Sequence, residues 1–317
     1  MKDRISFYDA AKGVLILLML IGHIWTEGWF RTFIYAFHMP AFFIVSGMLF
    51  RHSSTLEKPL WRIVWKKIRT LLVPYFFFEA FSVLETVIRK GPELNVKGYL
   101  YQILTLRLTN GPLWFLIVLF CGELLFILLW KLKRPAVLAG FGVVLLALTF
   151  VLPKDTNYIS PAMIAVGTLF LVVGYFAQPL LEKPALWLGA AAGAATAVIA
   201  ALNPTDIASF QDGIPGLFLV SGFTGSLFVL QISRFLTWKP LTFLGKNSLI
   251  ILGTHYPLYR AALWLFSIKT VSLPVGLAIL AGLLAVEIPI IYLIDRCLPF
   301  VVGRWYPTKK TQAQSAE

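Results

Sequence analysis

Apolar residues in this chain come in unbroken runs of about 20, the length needed to cross the hydrocarbon of a bilayer, and no other feature constrains the fold as much. Residues 112–130 read PLWFLIVLFCGELLFILLW and residues 274–294 read PVGLAILAGLLAVEIPIIYLI, each with one carboxylate. Of 317 residues, 58% are hydrophobic and 14% charged, which leaves no material for a sizeable water-soluble domain. The runs are continuous and not alternating, so they predict helices and exclude a transmembrane β-barrel. The 23 glycines and 18 prolines fit membrane helices, where neighbouring helices satisfy the freed backbone groups.

Charge and turn clusters divide the chain into spans near 10–28, 32–50, 71–88, 112–130, 136–152, 159–178, 185–202, 214–233, 248–267 and 274–294. With a cytoplasmic N-terminus, 19 Lys and Arg fall in inner segments and 7 in outer ones, while Lys12 and Arg260 lie within spans. That bias supports an all-α, polytopic bundle of about ten transmembrane helices with both termini cytoplasmic. The plasma membrane is the expected location. The bias also accounts for the net charge of +13, so nucleic acid is excluded as a partner and membrane lipids are expected. The first run follows a basic start but carries His23 and no small-residue cleavage site, so it stays attached as a helix. Cys121 and Cys297 lie in or beside spans and predict no disulfide. Residues 1–300 are read as the membrane domain and 301–317 as a disordered cytoplasmic tail. Residues 51–70 form a basic amphipathic stretch with Trp61 and Trp65, suited to the inner membrane surface, and loop 89–111 is long enough to help cover a site.

Ionisable groups inside a bilayer are costly and mark function. Asp9, Lys12 and His23 fall in or beside the first span. Eleven residues separate Lys12 from His23, three turns plus about 20°, so they share a face about 16 Å apart along the axis. Folding back near Phe30 brings His38, in FHMPAFFIVSG, to the depth of His23, and His255 in the ninth span lies at a similar depth. Of the four histidines, only His52 falls in a loop. Neutral imidazole accepts a hydroxyl proton, which suits a general base. Three imidazoles also suit zinc, but FHMP and THYP lack paired-ligand spacing, and no metal is expected. Each group has a bland role as well: Lys12 snorkelling, His38 capping a kink at Pro40, His255 making one interhelical hydrogen bond. Glu79, Glu85, Glu123 and Glu287 are further buried acids, any of which can orient a histidine or pair with a cation.

Taken together, Lys12 and His23, FHMPAFFIVSG at 37–47, GPLWFL at 111–116 and LGKNSL ahead of His255 resemble the acyltransferase-3 family of membrane acyltransferases, in particular its fucose 4-O-acetylase-like branch. The resemblance runs from residue 1 to about 295. It implies transfer of an acyl group, commonly acetyl, from cytoplasmic acyl-CoA (acetyl-CoA) to a hydroxyl of a cell-surface glycan or lipid-linked sugar. It also implies that His23 is the essential histidine, general base or acyl carrier, and Lys12 its basic companion. His38, Asp9 and His255 complete the expected catalytic set. Lys66 and Arg69, in KKIR, match a paired-arginine feature for the CoA phosphates, with Lys66 in place of the first arginine; Lys67 and Lys12 are expected to assist. His38, Ser46, Asn247 and Ser248 are candidates for the oxyanion donor. The rival function is a proton-coupled glycan or small-molecule transporter or flippase, which would use an acid such as Glu123 or Glu287 and usually shows repeat symmetry.

Overall fold

The protein's computed structural model describes residues 2–91, 97, 98, 101, 109–152, 159–207 and 212–304. Residues 305–317 of the expected tail and most of loop 92–108 lie outside them. Among the described residues every regular element is helical. In chain order they are α1 (Lys2–Ile24), α2 (Trp29–Tyr35), α3 (His38–His52), α4 (Leu60–Lys67), α5 (Val73–Lys90), α6 (Trp114–Lys131), α7 (Pro135–Val151), α8 (Pro161–Leu181), α9 (Leu186–Leu202), α10 (Pro215–Ile232), α11 (Lys239–Lys246), α12 (Ser248–Leu265) and α13 (Leu273–Cys297). Seven helical stretches among the described residues are long and apolar enough to cross a membrane, and Gly140–Val151 and Leu186–Leu202 are shorter apolar helices. The 18 residues of α12 include His255 and Arg260, which lower its hydropathy. The chain is thus an all-α, multi-pass membrane protein.

Two expected elements differ in detail. The second span is two helices, α2 and α3, broken at Ala36 and Phe37. A continuous helix would drive the Pro40 ring into the Ala36 carbonyl. As the third residue of α3, Pro40 instead takes a position where its missing N–H has no intrahelical acceptor to lose. The basic amphipathic stretch before the third span is continuous with it: α4 runs through a π-helical turn, Ile68–Leu72, into α5. Trp61 and Trp65 stand out from α4, 66% and 55% exposed, while Ile63 is buried beneath them. That is the geometry of an interfacial helix.

Close backbone approach explains the glycines at two crossings. A Cβ on Gly174 of α8 would lie 2.1 Å from the Ile44 carbonyl oxygen of α3, and one on Gly47 would lie 2.0 Å from that of Leu171. Without a hydrophobic drive between helices in lipid, such contact is what holds two of them together. At the crossing of α1 and α11, a Cβ on Gly245 would lie 1.7 Å from the Asp9 carbonyl oxygen, and one on Gly13 would lie 2.1 Å from that of Leu241. The glycine of LGKNSL therefore seats α11 on the Lys12 end of α1.

Candidate active site

The break before α3 sets the first imidazole. His38 Nδ1–H donates to the Ile34 carbonyl at 3.0 Å, closing the end of α2. His255 Nδ1–H likewise donates to the Ile251 carbonyl at 2.7 Å, one turn back along α12. Both rings are buried, 4% and 1% exposed. In the neutral ring each then has its lone pair on Nε2 and no second N–H, so neither supplies an oxyanion donor as a neutral group. The bland reading of His38, a cap at a break, is thus realised, and it leaves Nε2 free for other work.

His23 lies at the far end of α1, with its ring 5.3 Å from that of His255. Tyr35 stands between His23 and His38, its ring centroid 6.1 Å from the first and 4.8 Å from the second. The Tyr35 hydroxyl has one hydrogen and two acceptors within 3.4 Å, the Gly22 carbonyl and His23 Nδ1. Donating it to the carbonyl makes His23 Nδ1–H the donor to Tyr35 and puts the imidazole lone pair on Nε2. Among the described residues no hydrogen bond occupies that nitrogen. His23, Tyr35 and His38 line a cavity of about 420 Å3 together with Arg31, Asp206 and Trp114. Arg31 lies over the Tyr35 ring at 4.0 Å.

The long loop contributes its described end, since Gly111 and Pro112 line the same cavity. Glu79 holds that end in place: its carboxylate accepts the backbone N–H groups of Thr109 at 3.1 Å and Asn110 at 3.3 Å, and Asn110 Nδ2 donates to the Gly253 carbonyl at 2.8 Å. The other buried acids also have work of their own. Glu85 pairs with Arg260 at 2.7 Å and Arg89 at 2.9 Å, Glu123 pairs with Lys67 at 2.7 Å, and Glu287 accepts the Thr254 hydroxyl at 2.7 Å. In these contacts none of the four carboxylates meets an imidazole.

Lys12 and Asp9 lie apart from the histidines, about 16 and 21 Å back along α1. They form an ion pair of 2.9 Å. Lys12 lines a second cavity, of about 160 Å3, with Ser46 and Ser248. Lys66 is exposed at the end of α4, Lys67 is tied to Glu123, and Arg69 sits half-buried in the π turn. The structure therefore brings His23 and His255 together, with His38 beyond Tyr35, and keeps Lys12, Lys66, Lys67 and Arg69 out of their cavity. Among the described residues no three His, Cys, Asp or Glu side chains are grouped to hold a metal ion.

Sequence reasoning missed Tyr35, Arg31 and Asp206 in the His23 cavity. Tyr35 was findable, because it lies three residues before His38 on the return of the same hairpin. Arg31 reads as an outer-loop charge, and Asp206 follows Asn203 and Pro204 in a connection with no periodicity to place it.

The family described as an acyltransferase domain matches residues 5–294. Two relatives are both named nodulation protein NolL. The one from Mesorhizobium japonicum is 27% identical over 200 residues, covering 56% of this chain and 49% of the relative. The one from Sinorhizobium fredii is 32% identical over 88 residues, covering 24% of each. The chain thus spans about half the length of the first and a quarter of the second. No solved structure matches it. The family match takes in both cavities, with Lys12 toward one end of α1 and His23 toward the other, and the chain belongs to this family of membrane acyltransferases.

Proposed function

We propose that the protein moves an acyl group, above all acetyl, from cytoplasmic acyl-CoA to a hydroxyl of a glycan or lipid-linked sugar, as a ten-span protein of the plasma membrane with both termini in the cytoplasm. The observation that carries this reading is His23: its imidazole is oriented by Tyr35 at 3.4 Å, backed by His255 and turned into a cavity. In the proposed reaction the acceptor hydroxyl oxygen attacks the thioester carbonyl carbon while His23 Nε2 takes its proton. The tetrahedral centre collapses, the C–S bond breaks, and the proton passes from His23 to the departing sulfur. Ester and CoA thiol are the products. Arg31 brings positive charge to the same cavity, where negative charge develops on oxygen. The buried carboxylates that a proton-coupled carrier would use are engaged, Glu123 by Lys67 and Glu287 by Thr254, which favours the enzyme.

Lys66 and Arg69 take the CoA phosphates in this reading, with Lys12 at the inner mouth and Lys67 assisting while bonded to Glu123. Purified protein in detergent is expected to release CoA thiol from labelled acetyl-CoA. Replacing Lys66 and Arg69 together by Ala should raise the donor KM by about tenfold or more with little change in kcat, since charge-assisted hydrogen bonds to phosphate would be lost. An unchanged KM would remove the dock. Tyr35→Phe keeps the ring beside His38 and deletes only the hydroxyl on His23. It should lower kcat by about tenfold at constant donor KM, because the imidazole loses the bond that fixes its tautomer. A shift in KM alone would show that Tyr35 contacts substrate and does not position the base.

A further inference from the structure

The His23 cavity does not end at the histidines. Met39 of α3 and Leu252 of α12 line it, and the same two side chains line the second cavity, which follows α1 to Lys12. Both are almost fully buried, 7% and 6% exposed. A path between the cation end and the histidine end therefore narrows at this pair. Below it the walls are mostly apolar, with Phe42 and Phe115 prominent. The Ser46 hydroxyl there is turned aside, donating to the Phe42 carbonyl at 2.8 Å.

From this geometry we infer that Met39 and Leu252 form a neck that selects the acyl group, passing short unbranched acyl chains and excluding branched ones. The inference rests on the acyl-CoA reading above. In that reading the acyl group precedes the thioester, so whatever reaches His23 has first passed between these side chains. Backbone retreat cannot widen the neck. Met39 lies between His38, bonded back to Ile34, and Pro40. Leu252 precedes Gly253, where a Cβ would lie 2.2 Å from the Phe78 ring, and whose carbonyl is held by Asn110. The aperture is set by side chains alone. Methionine, unbranched and with three rotatable bonds, can swing aside for a thin group at low cost, whereas the packed wall around it resists each added methyl.

The test compares CoA thiol release from acetyl-CoA and from isobutyryl-CoA by detergent-purified protein, with methyl fucoside as acceptor. The wild type should prefer acetyl-CoA. In Met39→Ala and in Leu252→Ala the ratio of kcat/KM for isobutyryl over acetyl should rise on the order of tenfold. A purely structural loss would lower both donors together and leave the ratio alone. Leu252→Val, a smaller cut, supplies the same comparison if an alanine variant does not elute as a monodisperse species. An unchanged ratio with acetyl turnover retained, or a wild type that uses both donors equally, overturns the neck. A wild type that releases no thiol from either donor overturns the acyl-CoA reading itself.

Discussion

His23→Ala is expected to lower acyl transfer by about 10²- to 10⁴-fold, the range that a positioned general base contributes. The fold should survive, because the ring borders a cavity and its aromatic neighbours Tyr35, His255 and Tyr256 stand at ring distances of 6.1, 5.3 and 6.0 Å. Labelled acetyl transfer by wild type and variant, each checked for a monodisperse elution profile, measures the effect. His255→Ala is the informative companion. Its Nε2 is buried without a hydrogen-bond partner and its ring is close to His23, so it should reduce turnover by a smaller factor through the orientation of the base. Turnover that persists within about threefold in His23→Ala would place the base elsewhere. The first candidates would then be the Nε2 atoms of His38 and His255.

Gly174→Val should prevent assembly of the bundle. The new Cβ would meet the Ile44 carbonyl at 2.1 Å and the Ile44 Cα at 2.7 Å, and backbone cannot rotate away as a side chain can. The helices α3 and α8 would have to part, losing the contact that stands in for a hydrophobic drive in lipid. Overpacking a core typically costs about 1–3 kcal/mol, and a clash with backbone belongs at or beyond the upper end. Because α3 carries His38 and Met39, even a surviving variant should lose activity. Gly282→Val on α13 is the control, since nothing lies within 4 Å of its Cβ position. Recovery of folded protein in detergent should separate the two, and equal recovery would refute the crossing as a determinant of stability.

Much of this architecture was legible because bilayer physics leaves so few options. Each of the ten apolar runs falls on helix, though the second is broken in two and seven stretches among the described residues are long and apolar enough to span; the shared face and axial separation of Lys12 and His23 follow from helix geometry alone. Hairpin depth correctly brought His38 near His23, but it could not reveal that Tyr35 stands between them or that His255 is the direct ring neighbour. Those facts depend on the break at Ala36 and Phe37, which a run of apolar residues does not announce. Partners of the buried acids were equally hidden. Glu85 meets Arg260 across 175 positions of sequence, and no local pattern encodes such a contact. The amphipathic character of residues 60–67 was legible, with Trp61 and Trp65 exposed and Ile63 buried, but not that Lys67 turns inward to Glu123.

The π turn at Ile68–Leu72 gives this region a tolerance of chain length that its composition hides. Such a turn arises when one extra residue is accommodated in an otherwise regular spiral. Excising a single residue there would restore ordinary winding with little change in the facing of α4, whereas removing one from the regular helix on either side would swing everything upstream by about 100°. Trp61 and Trp65 would then leave the exposed face that they now share, and Lys66 would turn with them. Thr70, packed against Gly303 and bonded to the Lys66 carbonyl at 3.0 Å, anchors the wider loop. Single-codon deletions within these five positions should thus be milder than the same deletions in the regular turns of α4 or α5 beside them.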